Sequence, residues 1–386
     1  MHRVISALAF SRRLLLLLLF SLTLNASAWP LQAAPDTHAA EAVATGSIAM
    51  QNGDYAAAER SFRIALKSTP DSVPLLNNIA ICVGRQHRED EAITLYQRAL
   101  TLKPGDSITQ RNLGVAYFRA AQYKAALPLL KAFADTTPGF QSLSLTGLDL
   151  FALDRFDEAA GYLEKAHKLQ PNDLQTLDML GKAYLRVKNY SGVTNVFQQI
   201  MTINPNSAAA HVMMAMADDN LYREDDAIRE FEAAAKADPK YPGIHAGLGT
   251  IYFRNDNIDA AEREVRQELA LYPTDPIANC TLGRILRRRN QPADAIHFLE
   301  AALSVNPVYF DALMELGECD ILLHQPDAAV SALQKAVSVQ PQNADAHYVL
   351  GTALSKSGHL TQGARERSIC AQLRNKEHQS PATKMQ

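Results

Sequence analysis

The sequence predicts an all-α solenoid built from antiparallel helix pairs, and three observations predict it. First, nine prolines form a ladder: Pro70, Pro104, Pro138, Pro171, Pro205, Pro239, Pro273, Pro307 and Pro341, each 34 residues after the last except for one step of 33 from Pro138 to Pro171. A fixed period of this size marks one supersecondary unit copied along the chain. Second, the residue 24 positions before each proline is always Gly or Ala, from Gly46 and Ala80 to Gly283 and Gly317. A second small residue stands 12 before, such as Ala58, Ala126 or Ala295, with a larger apolar side chain such as Phe62, Leu130 or Leu299 eight before. Two antiparallel helices in close approach need a nearly bare contact point on each, with larger side chains filling the grooves beside it. Third, turns such as Asn52-Gly53-Asp54 and Asn255-Asp256-Asn257 split the units with residues that tolerate left-handed backbone.

In chain order, residues 1–28 have the pattern of a signal peptide. Arg3, Arg12 and Arg13 form a positive region, Leu14 to Leu24 an apolar run, and Ala26-Ser27-Ala28 a small-residue cleavage site. The run is shorter than the ~20 residues of a membrane span, so membrane attachment would come only from an uncleaved signal. The expected location is therefore exported, periplasmic or secreted. Residues 29–38 form a disordered lead-in, 39–375 the repeat array, and 376–386 a polar, disordered tail. Within the array the ladder prolines end second helices, and Asp71, Asp106 and Asn172 are placed to start the next first helix. Pro292 and Pro326 fit the first turn of a helix, where the missing N–H has no partner to lose.

The spacing of Leu113-Gly114, Tyr117, Ala126 and Pro138, or of Leu180-Gly181, Tyr184, Phe197 and Pro205, resembles the tetratricopeptide repeat (TPR). The resemblance covers 39–375 as nine full units and a C-terminal capping unit. It implies a right-handed TPR superhelix whose first helices line a concave groove for peptides or protein segments, and it implies no catalysis. Departures from the pattern mark expected irregularities. The one-residue deletion lies between Pro138 and Gly147, so that joint should be tightened; Phe133 and Glu268 replace the alanine five before the proline and should force local repacking. Gly363 and Arg367 replace the small residue and the knob of the last unit, which suits a capping helix.

A net charge of -3 argues against a nucleic-acid partner, which needs a strongly basic face. No serine-hydrolase elbow, phosphate-binding glycine loop or H-E-x-x-H motif occurs, so neither catalytic residues, nor a cofactor, nor a metal is expected. Gly243, Gly247 and Gly249 read as close-packing glycines. His211, His245 and His347 recur at one register position and are read as packing residues, since helices stack ~10 Å apart, too far for two imidazoles to share a zinc ion. Cys82, Cys280, Cys319 and Cys370 lack metal-ligand spacing and read as buried thiols, with Cys280 and Cys319 the pair to check for a bridge.

Function is then sought on the first helices. Asn77, Asn78 and Asn112, with Arg111 nearby, resemble groove asparagines that hold a peptide backbone, because an amide can donate and accept at once; asparagine is also simply common at this place in the family. The dicarboxylate clamp of related arrays is not reproduced. Arg85, Arg119, Arg186, Arg254 and Arg288 form a ladder at helix C-termini, where the macrodipole favours a cation. Arg284 and Arg287 join Arg254 and Arg288 in a patch that could take an anionic ligand or could pair with Asp311, Glu315 and Glu318. Met179, Met213 and Met216, with Phe151, Val212 and Leu185, could form an adaptable apolar surface or fill the helix interface. The combined reading is a non-catalytic protein-interaction scaffold of the cell envelope, with an assembly or biogenesis role and a protein or peptide partner. The alternative, an exported polysaccharide, would use Phe118, Phe151, Phe253 and Tyr348.

Overall fold

A computed structural model describes residues 37–379, and within them every regular element is an α-helix. The leader read over 1–28 and the segment 380–386 lie outside the described residues. Thr37 and His38 already belong to the first helix, and the last helix carries Lys376 on to Gln379. The chain divides into two compact units, one ending at Pro205 and one beginning at Asn206. The first holds α1 Thr37–Gln51, α2 Tyr55–Ser68, α3 Val73–Arg85, α4 Glu89–Leu102, α5 Ser107–Arg119, α6 Tyr123–Thr136, α7 Phe140–Ala152, α8 Phe156–Leu169, α9 Leu174–Arg186 and α10 Tyr190–Ile203. The second holds α11 Ala208–Asn220, α12 Glu224–Ala237, α13 Ile244–Arg254, α14 Ile258–Leu271, α15 Pro276–Arg288, α16 Pro292–Val305, α17 Phe310–Leu322, α18 Pro326–Val339, α19 Ala344–Lys356 and α20 Leu360–Gln379. Odd-numbered helices are the first of each pair and even-numbered ones the second.

The small-on-small contact is present in each unit. Ala58, Ala126, Ala159, Ala261 and Ala295 are fully enclosed, as are the knobs Phe62, Leu130, Val265 and Leu299. A Cβ added at Gly147 would sit 2.8 Å from the Leu163 side chain, and one at Gly283 2.7 Å from Leu299. The turn inside each pair closes as a Schellman motif: Gln122 N–H donates to the Tyr117 carbonyl and Ala121 N–H to Phe118, and the same bonds recur at Arg88 to Val83 and Asn189 to Tyr184. Its left-handed residue is Gly53 or Asp256 in the turns expected from sequence, but Ala121, Lys188 and Tyr222 adopt the same positive φ. Packing of the pair therefore imposes this conformation even on residues that do not favour it.

The helix starts correct the sequence reading by one residue. Ser72, not Asp71, caps α3, and Asp173, not Asn172, caps α9, whereas Asp106 caps α5 as expected. Two joints are irregular. Between α6 and α7 the C-cap Thr137 and N-cap Gly139 are separated by Pro138 alone. Phe133 is half-exposed there, with Arg111 over its ring at 5.5 Å, and Ala134 takes the buried place that alanine five before the proline has elsewhere. Between α12 and α13 the connector is longer, and Gly243 sits at φ 89 with nothing crowding its Cα. Gly243 is thus a conformational glycine, correcting the close-packing reading, which does hold for Gly247 against Phe231 and Gly249 against Val265. Glu268 supplies the missing cap. Its carboxylate, wholly buried, accepts the N–H groups of Gly243 at 2.8 Å, His245 at 3.1 Å and Ala246 at 3.2 Å. In the last unit Arg367 donates to the Gly351 carbonyl at 3.0 Å and to Ser355 at 2.7 Å, replacing the apolar knob by hydrogen bonds.

Candidate functional site

In the unit 37–205, the first helices α3 and α5 separate the asparagine candidates. Asn77 is buried, and its amide donates to the Val73 carbonyl at 3.1 Å and to Thr109 Oγ1 at 2.7 Å, which in turn donates to the α5 cap Asp106 at 2.7 Å. That amide ties two successive repeats together and is not offered to a ligand. Asn78 and Asn112 sit one position further round their helices, half-exposed, one repeat apart and without a side-chain hydrogen-bond partner among the described residues. Arg111, half-buried, stacks on Phe133. The structure therefore leaves Asn78 and Asn112 as the free polar pair on this face.

The arginine ladder is a set of joints between successive repeats. Each arginine reaches the junction between the two helices of the preceding pair. Arg85 lies over Tyr55 at 5.7 Å, Arg119 meets Glu89 at 3.5 Å, and Arg186 lies over Phe156 at 4.4 Å while pairing with Asp154 at 3.7 Å. In the unit beginning at Asn206, Arg254 pairs with Asp219 and with Glu224 at 3.2 Å, and Arg288 with Asp256. The periodic histidines also have fixed partners within their pairs: His211 with Glu230 at 2.7 Å, His245 with Glu264 at 2.7 Å and His347 with Glu366 at 2.6 Å. The hydrogen bond to the Glu264 carboxylate raises the His245 pKa. All four cysteines are free and buried, and burial pushes the thiols of Cys82 and Cys319 up to about 12, far from reactive thiolates.

The arginine patch is internally paired. Arg284 and Arg287 share Glu315, the first at 3.2 Å, and Arg287 also holds Glu318 at 3.0 Å. Arg284 and Arg288 each lie 4.5 Å from the centre of the Phe253 ring, which they cover. Asp311 is brought to the same cluster, where burial raises its pKa and Arg284 opposes that rise. Each guanidinium here has a carboxylate within reach, so the patch presents no unopposed positive field. Replacing Glu315 by alanine should free Arg284 and leave Arg287 with Glu318 alone; the variant is expected to elute from a sulfated-polymer column at higher salt than the parent. The methionines belong mainly to the core: Met179 and Met213 are buried, and Met216 packs half-buried against Ala208, Val212 and Ile251. Of the four aromatics suited to a glycan, Phe118 and Phe253 are buried, Phe151 is half-buried and packed edge-to-face with Phe156, and Tyr348 is 51% exposed.

Comparison with known families decides the wider identity. Two models described as tetratricopeptide repeat match, one at residues 43–107 and 111–173 and the other at 222–279 and 286–351. The chain is a tetratricopeptide repeat protein. Among curated proteins this TPR chain is similar to the BBSome complex member BBS4 of Bos taurus, 24% identical over 64% of the chain and 48% of that protein. It is also similar to the peroxisomal targeting signal receptor of Saccharomyces cerevisiae, 21% identical over 51% of the chain and 34% of that protein. The chain thus spans less than half the length of these relatives. Among solved structures, a MamA fragment from Desulfovibrio magneticus RS-1 is 20% identical with a TM-score of 0.42, covering 45% of the chain and 99% of that structure.

Three structural features of the TPR chain were not visible as such in its sequence. The capping role of Glu268 shows in the sequence only as a misplaced acid, because its partners are backbone N–H groups. The ladder's partners, such as Tyr55 for Arg85 and Glu89 for Arg119, lie 30 residues earlier and could have been found by aligning the units. Asp149, an acid at a register place held elsewhere by Cys82, Ala116 and Ala183, carried the same kind of signal.

Proposed function

We propose that the chain is a non-catalytic binding scaffold that docks a peptide or protein segment on its first helices, with the unit 37–205 providing the polar contact. One observation carries this reading: Asn78 and Asn112 are half-exposed, in one register and free of side-chain partners, whereas the neighbouring Asn77 and the arginines are engaged inside the protein. First helices of successive repeats lie ~10 Å apart, and an extended chain advances about 3.3 Å per residue. The two amides would therefore meet backbone groups about three residues apart, each giving one N–H and taking one with its carbonyl. The signal-like pattern of residues 1–28 supports placement in the cell envelope, where an assembly role is the reading for such a scaffold. The burial of Phe118 and Phe253 leaves the polysaccharide alternative with few stacking surfaces.

The test uses peptides selected against the whole protein from a displayed random library. Changing Asn78 and Asn112 together to alanine should weaken such peptides by about tenfold or more, two backbone contacts at ~1 kcal/mol each, and leave thermal stability unchanged. Asn77→Ala should do the reverse, lowering stability through the lost tie to Thr109. Selected peptides insensitive to both asparagines would place binding elsewhere.

A further inference from the structure

The joint between α6 and α7 carries three polar side chains on α7. Ser142, Thr146 and Asp149 follow one another at helical spacing on one face of α7. The Ser142 hydroxyl donates to the Thr137 carbonyl at 2.8 Å, and the Thr146 hydroxyl lies 3.1 Å from the Leu130 carbonyl, so two of the three reach back across the seam. Asp149 is the third. It is 0% exposed, and neither carboxylate oxygen meets a hydrogen-bond donor among the described residues. The facing helix is itself interrupted: Pro128 lies inside α6, so the Lys124 carbonyl has no backbone N–H four residues on. The connector is the shortened one, with Pro138 alone between the two caps. A buried carboxyl with no donor is tolerable only while neutral.

The ionisable groups around the seam do not offset a charge there. Tyr123, from the first turn of α6, has its pKa raised by burial first and by the Asp149 charge second, so it brings no positive charge to the seam. Lys124 on α6 is exposed, and Lys131 is turned to Glu158 at 2.9 Å. At the start of α8 its N-cap Arg155 also holds Glu158, at 2.7 Å, and Glu164 of α8 accepts from Tyr184 at 2.6 Å. On α9, Asp178 holds Lys182 at 2.7 Å.

We propose that Asp149 is a proton-operated latch: its neutral carboxyl lets α7 seat on α6, and loss of its proton opens the seam so that the charge can reach water. Burial raises its pKa from 3.8 to about 7. Because the folded value lies above the unfolded one, the closed joint is favoured in full below pH 3.8 and loses that advantage as the pH rises through about 7. Above that pH each further unit shifts the opening equilibrium by up to about tenfold. Opening changes the spacing of α7 from α5, the neighbouring first helix that carries Asn112.

Hydrogen exchange of the full chain at pH 6 and pH 8.5, corrected for the intrinsic pH dependence of exchange, tests the latch. Amides of α6 and α7 should lose protection by about tenfold or more at the higher pH, while those of α15 and α16 serve as an internal reference and change little. In Asp149→Asn and Asp149→Leu the α6–α7 difference should vanish. Equal behaviour of the two regions in the parent protein would overturn the latch, and so would a fall that persists in Asp149→Asn. The parent measurement stands by itself if a variant fails to fold.

Discussion

Replacing Glu268 by alanine should lower stability by about 3 kcal/mol, because a buried donor left without its acceptor costs roughly 1–3 kcal/mol and water can recover part of the loss at three of them. The carboxylate is fully buried and accepts from Gly243, His245 and Ala246 at the start of α13. Six other first helices have Ser72, Asp106, Asp173, Ser207, Asp275 or Asn343 in the cap itself. Gly243 has no side chain to do this. Burial is the largest influence on the Glu268 pKa and raises it, while the N–H groups of Gly243 and Ala246 oppose the rise. Glu268→Gln, which keeps the shape and one accepting oxygen, should therefore lose less than the alanine variant. It should also flatten one component of the pH profile: the raised pKa favours folding below the unfolded value of 4.5 and loses that advantage as pH rises through the folded value. Urea denaturation gives the loss. Exchange of the α13 amides locates it, since a repeat array need not unfold in one step.

Gly283→Val should be about as damaging, at roughly 3 kcal/mol, the upper part of the usual range for overpacking a core. A Cβ at this position would stand 2.7 Å from both Cγ and Cδ2 of Leu299 and 3.3 Å from the Ala295 carbonyl. Both neighbours are completely enclosed, so the α15–α16 contact has to separate to admit the side chain. Gly161, in the middle of α8, provides the opposite case, because nothing lies within 4 Å of its added Cβ. Gly161→Ala should raise stability by about 0.5–1 kcal/mol through helix propensity alone. Opposite shifts of the urea midpoint would separate the packing glycines of the repeat from those that are merely tolerated.

The paired helices could be read from sequence because their determinants are local and periodic. Gly147 against Leu163 and Gly283 against Leu299 are repeated solutions to one packing problem, and repetition raises each above chance. The caps were legible to within a residue: Ser72 and Asp173 stand beside the acid and amide first chosen, since several polar residues can serve and backbone geometry selects among them. The candidate site was less legible. Asn77 and Asn78 are adjacent, yet a rotation of about 100° per residue turns one into the seam and leaves the other on the face. The arginine patch could be located from its register, and Glu315 and Glu318 could be named as partners, but the covering of Phe253 by Arg284 and Arg288 depends on side-chain directions that spacing does not specify. Residues whose partners are backbone groups, such as Glu268, leave no reciprocal mark in the sequence.

Site-directed photo-crosslinking in the cell that makes the protein tests the account most directly. A photoreactive amino acid placed at position 78 or at position 112 should join the chain to a protein partner, and one placed at Arg98, exposed on α4, should not. Adducts at Arg98 alone, or none at 78 and 112 while a polysaccharide is retained by the purified protein, would contradict a peptide-docking face on the first helices.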